Sequence, residues 1–259
     1  MQMRVKITTL ENYITLPVRH NDILQGIIYR HIDPRLAERI HNRGTKDPES
    51  DRGLKLFTFS RLISSRSPVV DNKKNAITFY TPLTWIVASP INELIVSLYN
   101  TLINNRAIEL KSHEPSKSQT MHIDSVWIEP LPKYENPISV ETLSPITVYR
   151  TEEKNGRRYT HYYSPFEPEF NELILENLCR KCRTITGRDI SLDEKSYVKP
   201  VRIAKHENIV YYKDTLIKGW SGIFEMSLPE DIFHIAFSCG LGARNSQGFG
   251  CVGLWRNNP

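Results

Sequence analysis

Hydrophobic positions recur along the first half of the chain with two periods, which predict a mixture of strands and helices. Alternating polar and apolar residues predict four strands, at residues 4–8, 55–60, 76–80 and 122–128. Apolar residues three and four positions apart predict a helical region in two pieces within 21–44 and a helix over 89–103. Residues 45–53 are polar and rich in helix breakers, which predicts a mobile loop. The order β-α-β-β-α-β is that of a ferredoxin-like unit.

The same order of elements recurs in the second half, after a linker marked by Pro130, Pro132 and Pro137. The pattern predicts strands at residues 140–149, 159–163, 198–203, 209–216, 222–226 and 249–255. Helices are predicted over 166–181 and from Pro229 onward. We therefore predict an α+β protein of two tandem ferredoxin-like domains, residues 1–130 and 137–259.

Composition narrows the class of protein. The chain has 259 residues, of which 39% are hydrophobic and 24% charged, so it is neither disordered, collagen-like nor a coiled coil. Its apolar runs are shorter than the roughly 18 residues of a membrane span, its start has a strand pattern rather than that of a signal peptide, and its four cysteines are too few for a cross-linked secreted domain. We expect a soluble, cytoplasmic protein in which Cys179 and Cys182 are ordinary thiols and no metal is bound. The net charge of +5 permits a nucleic-acid partner without requiring one.

The last 20 residues contain five of the 12 glycines. Residues 240–250 lie between a predicted helix and the final strand, which excludes a dinucleotide-binding fingerprint, and they lack the Gly-Lys-Ser/Thr of a phosphate-binding P-loop. Exposed amides of such a loop could form a nest for phosphates, with Arg244 as a clamp. The alternative is a loop that needs glycine only to pack between helix and strand.

Residues 240–250, Gly-Leu-Gly-Ala-Arg-Asn-Ser-Gln-Gly-Phe-Gly, resemble the C-terminal glycine-rich motif of the Cas6 family, the CRISPR-associated endoribonucleases of the RAMP superfamily. Segments 24–29, 55–60 and 142–146 resemble the first helix, the following strand and the start of the second domain of that family. The resemblance implies tandem ferredoxin-like domains of the RAMP type. It also implies cleavage of precursor CRISPR RNA within repeats, without metal or cofactor, by attack of a 2′-hydroxyl. The expected ends are a 2′,3′-cyclic phosphate or 3′-phosphate and a 5′-hydroxyl.

The resemblance implies three catalytic residues in the first half. His41 matches the position of the catalytic histidine, and histidine suits proton transfer because its ordinary pKa lies near neutrality. Tyr29 matches the catalytic tyrosine, which acts as acid, base or orienting group, and Lys55 matches the lysine that stabilises the charged phosphorus. Lys46 and Arg52 are alternative cations, so that choice stays open. We prefer His41 to His31 because only the surroundings of His41 match the family.

RNA-binding candidates lie in the second half. Residues 179–206 hold eight Lys or Arg against three Asp or Glu, a local surplus of +5 that fits a phosphate track or, alternatively, a solvated face. The predicted RNA-binding set is Gly240, Gly242, Arg244, Asn245, Ser246, Gly248, Gly250, Arg180, Lys181, Lys199 and Arg202.

The resemblance makes CRISPR repeat RNA the expected partner, with no membrane partner. Further CRISPR-associated proteins of an effector complex, and a homodimer, stay open. The alternative function is a non-catalytic RNA-binding subunit of the same superfamily, which would not require Tyr29, His41 and Lys55.

Overall fold

The computed structural model describes residues 1–47, 50–110, 118–154 and 156–256. Its first half contains β1 (Gln2–Thr8), β2 (Tyr13–Pro17), α1 (Asn21–His31), α2 (Pro34–Glu38), β3 (Thr45–Asp47), β4 (Ser50–Leu54), β5 (Thr58–Phe59), β6 (Ile63–Ser64), β7 (Val69–Asp71), β8 (Ala76–Tyr80), β9 (Leu83–Ala88), α3 (Asn92–Asn105), β10 (Ala107–Leu110) and β11 (Gln119–Glu129). The second half contains β12 (Ile138–Thr142), β13 (Tyr149–Lys154), β14 (Arg157–Tyr162), α4 (Pro168–Thr186), β15 (Tyr197–Ile203), β16 (Asn208–Tyr212), β17 (Thr215–Gly219), β18 (Gly222–Ser227), α5 (Glu230–Cys239) and β19 (Val252–Leu254).

Each half contains a ferredoxin-like unit with the same strand order. The first sheet runs β10-β11-β1-β9-β5, so the unit β1-α1-β5-β9-α3-β11 has its four strands in the order 4-1-3-2. The second sheet runs β15-β18-β12-β19, which is again 4-1-3-2 for the unit β12-α4-β15-β18-α5-β19. The predicted α+β fold of two tandem ferredoxin-like units is therefore confirmed.

Two hydrophobic cores stabilise the fold. In the first, the apolar faces of α1 and α3 cover the sheet around the fully buried Trp85. In the second, α4 and α5 pack on the other sheet, and Leu56 from the first half joins this core. The predicted domain limits, 1–130 and 137–259, stay a prediction. Within the described residues, no helix is long and apolar enough to cross a membrane.

The third strand of the first sheet is not the one predicted. Residues 76–80 form β8, which pairs with β2 and β7 in a separate three-stranded sheet. The strand beside β1 is β9, Leu83–Ala88, whose last four residues are all buried. A strand buried on both faces has no polar alternation, so the pattern used for prediction does not detect it.

Two further predictions were wrong in detail. The loop predicted over 45–53 forms two paired strands, β3 and β4, with Thr45 opposite Leu54. The single strand predicted over 209–216 is a hairpin, in which β16 and β17 pair around a turn at Lys213 and Asp214. The short strands β3 and β4 are rich in polar residues and carry little hydrophobic signal, whereas the apolar run over 209–216 predicts a strand without revealing the turn at its centre.

Candidate active site

The first domain brings the three predicted catalytic residues together. Tyr29 lies in the last turn of α1, His41 follows α2, and Lys55 follows β4. The rings of Tyr29 and His41 meet edge to face, with centroids 5.4 Å apart and planes at 79°. Lys55 Nζ lies 5.9 Å from the centre of the Tyr29 ring. One small region therefore holds an imidazole, a phenol and an ammonium group.

Local sequence explains how His41 reaches Tyr29. Asp33 caps α2, because its carboxylate accepts hydrogen bonds from the amides of Arg35 and Leu36, both at 3.0 Å. After Glu38 the helix widens into a π-helical turn, Arg39–Arg43, that contains His41. It ends at Gly44, where φ is +62° and a Cβ would lie 2.7 Å from the carbonyl carbon of Gly53. Such π turns are frequent at functional sites.

The Tyr29 hydroxyl is buried and has no hydrogen-bond partner within the described part of the chain. Burial raises the pKa of the phenol well above its ordinary value, and Tyr212 of the second domain adds to the rise. The ring also packs edge to face on Phe57, at 5.8 Å. Tyr29 is thus held rigidly as a neutral phenol whose hydroxyl is unused by the protein.

The His41 and Lys55 side chains are more open than that of Tyr29. His41 is exposed, and its Nδ1 lies 3.0 Å from the side-chain oxygen of Asn42. Lys55 is half-buried, and burial lowers its pKa, with a further contribution from the charge of Lys213. These positions leave an imidazole and a cation at the surface beside a fixed phenol.

The other candidates for catalysis are His31, Lys46 and Arg52. His31 Nδ1 is 2.8 Å from the carbonyl oxygen of Ile27, one turn back on its own helix. Lys46 lies exposed on β3, while the side chain of Arg52 lies outside the described residues.

The glycine-rich loop, residues 240–250, packs against the first domain. Asn21 Nδ2 donates to the carbonyl of Gln247 at 2.8 Å, and Gln25 Nε2 donates to that of Ser246 at 2.5 Å. Thr58 Oγ1 donates to the carbonyl of Phe249 at 2.9 Å. These bonds place the loop against the start of α1, two turns before Tyr29.

Several amides of the glycine-rich loop bond within the protein and are not available to a phosphate. The amides of Gly240, Gly248 and Gly250 donate to carbonyls within the protein, at 2.8–2.9 Å. All four glycines of the predicted set, Gly242 included, are buried. Asn245 is buried too, and its Nδ2 donates to the carbonyls of Leu241 and Phe249 at 3.0 Å. The glycines therefore serve close packing, and the half-buried side of the loop is formed by residues 243, 244, 246 and 247.

Lys181 is buried beneath the glycine-rich loop and bonds to its backbone, so it is not accessible to RNA. Its side chain is 4% exposed, and its ammonium donates to the carbonyls of Gly240 at 2.7 Å and Gly242 at 3.2 Å. Burial lowers its pKa to about 8. The prediction that Lys181 contacts RNA directly is inconsistent with this burial, because its ammonium group is hydrogen-bonded to backbone carbonyls inside the protein.

Arg244 and Arg180 lie on the accessible side of the loop. The Arg244 guanidinium sits 5.0 Å from the centre of the Tyr149 ring, and its Nη1 donates to Gln247 at 3.3 Å. Arg180, Tyr149 and Gly242 line one open cavity of about 290 Å³. An arginine beside an aromatic ring is an arrangement that can receive both a phosphate and an unpaired base.

Comparison with known proteins identifies the family. A model of the C-terminal part of CRISPR associated protein Cas6 matches residues 128–254, and a model of the Cas6 N-terminal part matches residues 15–119. The chain belongs to the Cas6 family.

Its relatives cover almost its whole length. It is 25% identical over 260 residues to CRISPR-associated endoribonuclease Cas6 1 of Methanocaldococcus jannaschii, covering 97% of this chain and 92% of the relative. It is 26% identical over 242 residues to CRISPR-associated endoribonuclease Cas6 of Pyrococcus furiosus, covering 92% and 83%. A solved Cas6-related structure from Pyrococcus furiosus has a TM-score of 0.81 at 16% identity, covering 100% of this chain and 99% of that one. Another, described as CRISPR associated protein Cas6, has a TM-score of 0.76 at 22% identity and 99% coverage of both chains. These structures support the Cas6 fold.

Two predicted RNA-binding residues of this Cas6-family chain lie apart from the loop contacts. Lys199 Nζ is 2.8 Å from a carboxylate oxygen of Glu225. The Arg202 guanidinium lies 5.2 Å from the centre of the Trp255 ring. Both side chains therefore have partners within the protein, and the continuous phosphate track that the charge surplus suggested stays a prediction.

Sequence reasoning missed the contribution of the β16–β17 hairpin, whose tip reaches this Cas6-family site from the second domain. The Tyr212 hydroxyl donates a hydrogen bond to the side-chain oxygen of Gln25 on α1, and burial together with the charge of Lys213 lowers the pKa of Lys55. The only sequence signal was a run of β-prone residues, which says nothing about where a hairpin tip docks. In the described part of the chain no three His, Cys, Asp or Glu side chains cluster to hold a metal, and the four cysteines are free thiols.

Proposed function

We propose that the chain is a CRISPR-associated endoribonuclease that cleaves precursor CRISPR RNA within its repeats. The observation that carries the proposal is the convergence of Tyr29, His41 and Lys55 on one surface beside the second domain. Both curated relatives that match most of the chain are named as CRISPR-associated endoribonucleases, which supports the assignment. We infer that it acts in the cytoplasm on repeat RNA.

The reaction needs two proton transfers and stabilisation of charge. The ribose O2′ loses its proton and bonds to the adjacent phosphorus, while the P–O5′ bond breaks and O5′ takes up a proton. The products are a 2′,3′-cyclic phosphate, which water can open to a 3′-phosphate, and a 5′-hydroxyl. The electrons of the breaking bond leave with O5′, so no oxidant or reductant takes part.

The exposure and charge of the three side chains support a role for each. His41 is exposed and carries the residue type suited to proton transfer near neutral pH, so it exchanges protons with the RNA. Tyr29 has a raised pKa, which makes it a poor proton shuttle at neutral pH. Because the phenol keeps its proton, its hydroxyl can donate a hydrogen bond that orients the ribose or phosphate. Lys55 supplies positive charge to the pentacoordinate phosphorus.

The RNA crosses from this site to the accessible side of the glycine-rich loop. α1 joins the two regions, since Asn21 and Gln25 hold the loop and Tyr29 lies one turn further along. Arg244 and Arg180 lie where phosphates of the bound strand would pass.

The test is cleavage of an RNA carrying the CRISPR repeat of the same genome, in the presence of EDTA. We expect a new 5′-hydroxyl end and a cyclic or 3′-phosphate end, and loss of cleavage in His41→Ala with binding kept. His31→Ala is the matched control, because its imidazole is bonded within its own helix. Tight binding without cleavage by the unaltered protein would overturn the proposal and indicate a non-catalytic RNA-binding subunit instead.

A further inference from the structure

One open cavity of about 290 Å³, which we call the α4 cavity, lies between α4, the start of β13 and the glycine-rich loop. From α4 it is lined by Leu173, Asn177 and Arg180, whose spacings of four and three residues place them on one helix face. Tyr149 of β13 and Gly242 of the loop form other parts of the wall. The cavity therefore combines an apolar and aromatic lining with a few polar groups, as is typical of ligand pockets.

Asn177 has a side-chain oxygen that is buried and accepts no hydrogen bond within the described part of the chain. Asn171 of the same helix differs, because its side-chain oxygen accepts a hydrogen bond from the amide of Val198 at 2.7 Å. A buried acceptor without a donor costs free energy, so such groups are uncommon unless a bound molecule completes them. Since Asn177 lines the α4 cavity, we expect the donor to come from a ligand bound there.

Gly242 brings the complementary group, a backbone N–H, to the same cavity. The amides on either side of it, those of Leu241 and Ala243, donate to the carbonyls of Gly250 and Thr147 at 2.8 and 2.9 Å. Among the described residues, no carbonyl accepts a hydrogen bond from the Gly242 amide. The wall of the α4 cavity therefore includes one residue with an unused acceptor and one with an unused backbone donor.

The Tyr149 ring is held in a fixed position in the wall. Its centre lies 5.6 Å from that of the Tyr162 ring, with the planes at 48°, and 5.0 Å from the guanidinium of Arg244. Tyr162 is itself anchored, since its hydroxyl donates to the carbonyl of Leu216 at 2.9 Å. A fixed aromatic ring beside an arginine offers the flat contact surface on which unpaired RNA bases bind.

We propose that the α4 cavity binds one unpaired base of the repeat RNA, and that Asn177 selects adenine or cytosine at that position. Both bases present an exocyclic amino group beside a ring nitrogen that accepts hydrogen bonds. The amino group donates to the Asn177 oxygen, and the ring nitrogen accepts from the Gly242 amide. Uracil, and guanine on its Watson–Crick edge, present an oxygen in place of the amino group and would leave the Asn177 oxygen unpaired. The inference rests on the proposed endoribonuclease function and adds base specificity to it.

The test compares binding by the unaltered protein and by Asn177→Leu, using repeat RNA with a 2′-deoxy group at the mapped cleavage position. Abasic substitutions along the repeat locate the bound base, because its removal should weaken binding by the unaltered protein but not by Asn177→Leu. At that position an analogue without the amino group, purine for adenine or 2-pyrimidinone for cytosine, should raise the Kd of the unaltered protein about five- to fiftyfold. Asn177→Leu should bind the analogue and the natural RNA equally.

Two further variants serve as controls. Asn177→Asp keeps an oxygen acceptor, so it should keep the preference for the amino group while its negative charge weakens binding overall. Asn100→Leu makes the same substitution at an exposed position of α3 and should match the unaltered protein. The unfolding stability of Asn177→Leu should be unchanged or higher, because an unpaired buried oxygen is removed. A structural role for Asn177 would lower that stability instead.

Equal discrimination against the analogue by the unaltered protein and by Asn177→Leu would overturn the inference, and so would an affinity that depends on no single base. The proposed function would survive either result, because it depends on cleavage by the unaltered protein and its loss in His41→Ala.

Discussion

At the scale of single residues, the Tyr29 hydroxyl is the least expected feature of the site. A buried donor without a partner destabilises a protein, so such groups are rare unless a ligand completes them. Its raised pKa means that the phenol keeps its proton across the physiological range. Both observations favour a role in which the Tyr29 hydroxyl donates a hydrogen bond to an oxygen of the bound RNA.

Tyr29→Phe should therefore slow cleavage without weakening RNA binding. We expect the single-turnover rate to fall about ten- to hundredfold, because an orienting bond is lost at the reacting centre. Thermal stability should stay the same or rise, since a buried hydroxyl without a partner is removed. Tyr99→Phe, a half-buried tyrosine packed on the same core, is the control. A Tyr29→Phe protein that cleaves at the normal rate would exclude the orienting role.

At the scale of elements, sequence pattern predicted the amphipathic pieces and missed the rest for physical reasons. α1, α3, α4 and α5 lie close to their predicted positions, because one apolar face of each helix packs on a sheet. β9 was missed because it is buried on both faces. Among site residues, Tyr29, His41 and Lys55 came from resemblance to a family, since no local pattern places three distant residues together.

The glycine-rich loop offers a direct measure of packing between the domains. At Gly248 φ is +84°, and a Cβ would lie 2.6 Å from the Phe59 ring and 2.9 Å from Asn21 Nδ2, both in the first domain. Gly248→Ala should lower the free energy of unfolding by about 2–4 kcal/mol, from backbone strain plus the clash. Gly187→Ala is the matched control, because φ is +70° there with nothing within 4 Å. It should cost only about 1–2 kcal/mol. Equal losses in urea unfolding would show that the clash contributes nothing.

Lys181 of α4 bonds to the glycine-rich loop from a buried position, so the stability of the protein should depend on pH. The pKa of Lys181 is lowered to about 8 in the folded chain, so from pH 8 upward the unfolded chain binds more protons and stability rises with pH. Between pH 7 and 9 this contribution grows by about 1 kcal/mol. Lys181→Met removes it, so the difference in unfolding free energy between the original protein and the variant should grow by that amount. Parallel curves over this range would show that the buried amine keeps an ordinary pKa.

At the scale of the whole molecule, contacts between the two halves determine which basic side chains are accessible to RNA. Gln2 of the first sheet donates to the carbonyls of Phe237 at 3.2 Å and Val252 at 2.8 Å, which fixes one domain against the other. The positions of the charged side chains are therefore fixed relative to one another. The net charge of +5 counts every Lys and Arg, including those that RNA cannot contact. Lys181 is internal and Lys199 is paired, while Arg244 contacts only neutral groups among its described partners.

This distribution predicts unequal salt dependence for two single-charge variants. Arg244→Ala should weaken binding of repeat RNA and reduce the slope of log K against log salt by about 0.7–0.9, as expected for one lost phosphate contact. Lys199→Ala should change the slope much less, because the Lys199 ammonium already donates a hydrogen bond to the Glu225 carboxylate. This bond raises the pKa of Lys199. Filter binding with 2′-deoxy-blocked repeat RNA from about 50 to 300 mM salt gives both slopes. An equal change in the two variants would mean that Lys199 leaves Glu225 to bind RNA, and that the basic segment acts as the continuous track that its sequence suggested.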